Sequence, residues 1–149
     1  MSDNWLQFVP TDPQFIPSAE AAESARHLFA SFVPESEEVT ASTKDEIEFF
    51  HPMGNWSGVE CPLCGADLEP WWEEAMERCA ETQFKDLVTT VLCCGSRLSL
   101  NELRYVWPAA FARFVLEAMN PNVRDITQDQ ELALSNAVGC SLRKIWGHF

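Results

Sequence analysis

The chain has 149 residues, 46% of them hydrophobic and 11% aromatic, with a formal net charge of −13. That length suits one ordinary domain, and that composition suits a packed core, which excludes a disordered acidic tail. Negative charge of this size repels phosphate backbones and anionic lipid, so nucleic acid and membranes are excluded as partners and a basic protein surface is favoured.

Residues 5–9 read as a short strand, and the prolines at 10, 13 and 17 then enforce an extended crossing. Ser18 is a natural N-cap for a helix in which Ala22, Ala25, Leu28/Phe29 and Phe32 recur at helical spacing until Pro34. Residues 39–43 and 46–50 read as two extended segments, followed by turn chemistry at Gly54-Asn55 and Ser57-Gly58.

Pro70 suits a first helical turn, and Trp71/Trp72, Ala75/Met76, Cys79/Ala80 and Phe84 mark the apolar stripe of that helix. The β-branched run 87–92 reads as a strand. Ser99 and Glu102 form a capping-box pattern, predicting a short helix to Trp107 and, after Pro108, a longer one through Phe111, Phe114/Val115 and Ala118. Thr127 with Gln130 opens a further helix that Gly139 ends, and residues 141–146 close the chain as a strand. The expected fold is a single α+β domain over residues 1–149, a mixed or antiparallel sheet with helices on one face and a zinc-knuckle insertion. No internal repeat is expected.

Six cysteines in a chain that opens without a basic and apolar leader point to a cytoplasmic protein using metal or free thiols. Cys61-Pro-Leu-Cys64-Gly65 has knuckle spacing, in which a tight turn points two sulfurs at one ion and Gly relieves the backbone behind them. Structural zinc takes four ligands, so a second half is needed, and Cys93-Cys94-Gly95 supplies it. Adjacent residues of a strand point to opposite faces, so Cys93 and Cys94 both serve only if the backbone turns there. Failing that, His51 is the replacement ligand. The alternatives are buried free thiols or a dithiol redox centre. Cys79 and Cys140 read as small core residues.

No nucleophile–base constellation, phosphate loop or zincin motif occurs, so no catalytic residue is assigned. Glu73, Glu74 and Glu77 form the solvated face of their helix. Trp71 and Trp72 lie about 100° apart around it, so one of them, here Trp72, is left as a candidate anchor for a partner. The net charge is −8 over residues 1–50, −5 over 51–100 and zero over 101–149.

The segments Cys61-Pro-x-Cys64-Gly65, Cys93-Cys94-Gly95, Ser99-Leu-Asn-x-Leu103-x-Tyr105-x-Trp107-Pro108 and Phe111-Ala-Arg113-Phe114 together resemble a group of small bacterial proteins with zinc-ribbon-like cysteines. The resemblance implies a bacterial cytosolic protein with a metal site and lends it no catalytic residue. Size and acidity are also similar to those of bacterial immunity proteins and antitoxins, which block basic toxins. The expected function is therefore an acidic, zinc-stabilised protein that binds and inhibits a basic partner, such as a toxin, through Glu73, Glu74, Glu77 and Trp72. The alternative is a thiol-dependent redox or metal-handling protein built on Cys61/Cys64 and Cys93/Cys94.

Overall fold

In the computed structural model, which describes residues 2–149, the chain runs β1 (Asn4–Pro10), α1 (Ala19–Phe32), β2 (Glu38–Phe50), β3 (Val59–Glu60), α2 (Glu69–Ala80), β4 (Val88–Thr90), β5 (Arg97–Ser99), β6 (Arg104–Tyr105), β7 (Ala110–Met119), α3 (Gln128–Val138) and β8 (Leu142–His148). The fold is mixed α+β. Four strands form a fully antiparallel sheet in the order β2-β7-β1-β8, and two small hairpins stand apart from it, β3 with β6 and β4 with β5.

Local chemistry accounts for the helices that were expected. The Ser18 hydroxyl accepts the Ala21 N–H at 3.1 Å and starts α1. Thr127 and Gln130 close a reciprocal capping box at the start of α3, and Gly139 ends it at φ 92°. α2 stops at Ala80 rather than reaching Phe84, because Gln83 and Phe84 take positive φ. Residues 39–43 and 46–50 belong to one long strand, with a register shift between Thr43 and Glu48.

The largest departure lies at residues 99–119, where two helices were expected. Ser99 does cap a turn, accepting the Asn101 N–H, but the turn is a lone 3-10 one over Leu100–Glu102. Residues 110–119 form β7, a central strand paired on both sides by β2 and β1. Phe111, Phe114, Val115, Leu116 and Ala118 are buried on the two faces of that strand, so the apolar run has no single period. Tertiary pairing overrides the good helix formers in it.

One core packs α1 and α3 on the sheet through Leu6, Phe8, Ala25, Phe29, Phe114, Leu116 and Leu134. A second core holds α2 and the small hairpins against Ile47 and Phe111 at one end of the sheet. The expected single layer of helices thus holds for α1 and α3 and not for α2. The chain leaves the sheet at Phe50 and returns at Ala110, and these two residues face each other across the β2–β7 pair. Residues 51–109 are therefore an insertion into a hairpin. An aromatic group ties the two parts, with Phe49 against Phe111 at 4.8 Å, against Trp72 at 5.4 Å and against Tyr105 at 5.8 Å between ring centres. Among the described residues no helix is long and apolar enough to cross a membrane.

Candidate metal centre

Two turns of the insertion carry the cysteines. In the first, the Gly65 N–H donates to the Cys61 carbonyl at 2.9 Å and the Cys61 N–H to the Ala66 carbonyl at 2.9 Å. In the second, the Gly95 N–H donates to the Val91 carbonyl at 3.0 Å and the Val91 N–H to the Ser96 carbonyl at 3.0 Å. Gly65 and Gly95 sit at φ 76° and 72°, the left-handed region that favours a residue without Cβ. Strand contacts flank both turns in the same register, Glu60 opposite Asp67 and Thr90 opposite Arg97. The turns are one structural unit used twice: Cys61 answers to Val91, Leu63 to Cys93, Cys64 to Cys94 and Gly65 to Gly95. In sequence only the fourth-position Cys, the Gly after it and Leu68/Leu98 recur at these places, which is why no repeat stood out.

The backbone does turn at Cys93-Cys94, the condition for both sulfurs to face one point. The sulfurs of Cys61, Cys64, Cys93 and Cys94 lie within 4.8 Å of one another, with Cys61 Sγ 4.0 Å from Cys94 Sγ. Cys61 is buried, while Cys64, Cys93 and Cys94 are exposed and none is in a disulfide. A tetrahedral ion with bonds of about 2.3 Å to sulfur needs sulfur–sulfur edges near 3.8 Å. The cluster lies within about 1 Å of that spacing, and an all-thiolate set is a soft one.

Two of the four thiols are shifted, in opposite directions. The Cys64 backbone N–H, directed at the Cys61 sulfur, pulls that thiol down to about 7 against its burial, and the Leu63 N–H adds to the effect. Desolvation pushes Cys93 up to about 12, and the thiols of Cys64, Cys61 and Cys94 add to it. Neighbouring thiolates disfavour each other's charge, which a cation among them would offset.

The other expected residues fall elsewhere. The His51 Nδ1 accepts the Met53 N–H at 3.0 Å and its ring stacks on Phe49, so it belongs to no cluster of candidate ligands among the described residues. Cys79 is buried in the core and Cys140 is half-buried. Glu73, Glu74 and Glu77 are exposed on α2, and none is in an ion pair among the described residues. Trp72 is half-buried, its indole N–H donating to the Tyr105 hydroxyl at 3.3 Å and its ring 5.0 Å from that of Trp56. Sequence reasoning missed Trp107, an exposed aromatic placed in a helix that does not form.

Asn101 was also missed, since only its three-dimensional surroundings show its role. It is buried at the root of the insertion, where its side-chain oxygen accepts the Phe111 N–H at 2.9 Å and its amide donates to the Thr11 carbonyl at 3.2 Å. Arg143 donates to the Asn101 and Ala109 carbonyls beside it. Set against protein-family models, curated proteins and solved structures, the chain matches none of them significantly.

Proposed function

We propose that this chain is an acidic binding protein, held in shape by one structural zinc ion at Cys61, Cys64, Cys93 and Cys94, that docks and inhibits a basic partner protein of the toxin kind. The observation that supports this reading most directly is the unpaired, exposed acid of Glu73, Glu74 and Glu77 on a helix stapled between the two cysteine turns. A net charge of −13 gives such a surface a long-range pull on a cationic protein, and Trp72 with its aromatic neighbours supplies apolar contact. The donor set fits zinc because four thiolates suit a borderline-soft ion with no geometric demand of its own. Bound there, the ion would join the turn after β3 to the turn between β4 and β5 and contribute its binding energy to folding.

The test has two readings. Elemental analysis of the purified chain should give about one zinc per chain. Used as bait on extracts of its native host, the chain should retain a basic protein at low salt and release it at high salt. A metal-free chain, or retention indifferent to salt, overturns the corresponding half. The second reading, thiol-dependent redox or metal handling, draws on the exposure of Cys64, Cys93 and Cys94. Catalytic turnover of a thiol or disulfide substrate would favour it.

A further inference from the structure

We propose that Cys93 is a substitute ligand, standing in for a position that Val91 has vacated, and that it is the ligand an incoming thiolate displaces from the metal. The proposal deepens the reading of the four cysteines as a zinc site and rests on it.

The two equivalent turns carry the argument. In the first, sulfur comes from positions one and four, Cys61 and Cys64. In the second, position four is Cys94, but position one is Val91, which offers no donor atom and is buried as completely as Cys61, each with 0% exposure. Ligands taken from matching positions would thus number three, one short of what structural zinc takes. Cys93 makes up the set from position three.

Position three faces outward. Its counterpart in the first turn, Leu63, is 63% exposed. The shared backbone therefore offers the Cys93 side chain two directions: inward, toward the other sulfurs, and outward, where Leu63 points. A side-chain rotation alone would carry Cys93 between them, whereas position four aims its sulfur into the cluster in both turns, at Cys64 and Cys94, and Cys61 lies in the core. A free thiol arriving from solvent would form a zinc–sulfur bond as the bond to Cys93 breaks. The proton of the incoming thiol passes to the departing Cys93, and no electrons are transferred. The site is thereby open to exchange with small thiols at one defined ligand, while three cysteines keep the ion.

Zinc affinity and the absorption of the Co2+-loaded, full-length chain test this in three proteins. Structural zinc spreads its binding energy over four ligands, so C93A should bind zinc on the order of a hundredfold more weakly than wild type. Its cobalt spectrum should lose thiolate charge-transfer intensity that added 2-mercaptoethanol restores. V91C/C93A should regain wild-type affinity and spectrum with no thiol added, and this recovery is read against C93A itself, so it stands even where C93A folds poorly. Unchanged affinity in C93A, or V91C/C93A no tighter than C93A, overturns the substitution. A C93A spectrum indifferent to 2-mercaptoethanol overturns the displacement. A wild-type chain that binds neither ion fails earlier, at the zinc reading, and takes the proposal with it.

Discussion

Asn101 shows how one buried amide can hold three stretches of chain, since its contacts reach Thr11, Phe111 and Arg143. Replacing Asn101 by Ala leaves the buried Phe111 N–H without an acceptor, at a cost of about 1–3 kcal/mol in urea-induced unfolding. A loss near zero would mean that water reaches the group. Phe111 and Phe114 are both fully buried, but on opposite faces of a strand and in different cores. Each Phe→Ala change should cost about 3–5 kcal/mol. The double variant should cost the sum to within about 0.5 kcal/mol, because the side chains share no partner. Strong coupling in that cycle would instead place the two side chains against a common neighbour. Individual burial was legible because Phe is among the residues most often buried. The face was not, because neighbours on both sides of a strand leave no trace in local spacing.

At the scale of elements, legibility followed local chemistry. Ser18, Thr127, Gln130 and Gly139 mark the ends of α1 and α3 with side-chain or φ requirements that hold in any context. The segment Ala110–Met119 carries no such marks. Arg113 and Glu117, four apart, imitate a solvated helix face, yet they lie on a strand whose partners come from residues 4–10 and 38–50. The first cysteine turn was legible because two ligands, their spacing and the Gly are contiguous. The second was only half so, since its first position is Val91. Cys64→Ser should strip the ion and lower the melting temperature, whereas Cys140→Ser, half-buried and outside the cluster, should leave metal content unchanged. Equal metal loss in both variants would point to misfolding instead of ligation.

For the molecule as a whole, charge is the property most open to test. Reversing Glu73, Glu74 and Glu77 to Lys should chiefly slow association with a basic partner, and the effect should fade as salt shortens the reach of exposed charge from about 30 Å at 0.01 M to about 10 Å at 0.1 M. Glu102→Lys, exposed in the neutral last third, should do much less. Glu117 is unsuited to that comparison because its carboxylate accepts the amide of buried Gln7 at 2.6 Å. Stopped-flow rates that fall alike for both surfaces would reduce the acids to a solubilising coat. The α+β class and the inserted knuckles were readable from composition and spacing. The strand order β2-β7-β1-β8 was not, since it depends on pairing between distant segments.

The hairpin that holds the insertion also sets a cost of closure. β2 and β7 form the longest ladder of the sheet, and pairing them closes a loop of residues 51–109. The entropy of closing such a span grows with the logarithm of its length. Anything that first pins residue 61 beside residue 94 shortens the free path between Phe50 and Ala110. A cation held there would thus lower the cost of bringing the two halves of the longest ladder within reach of each other.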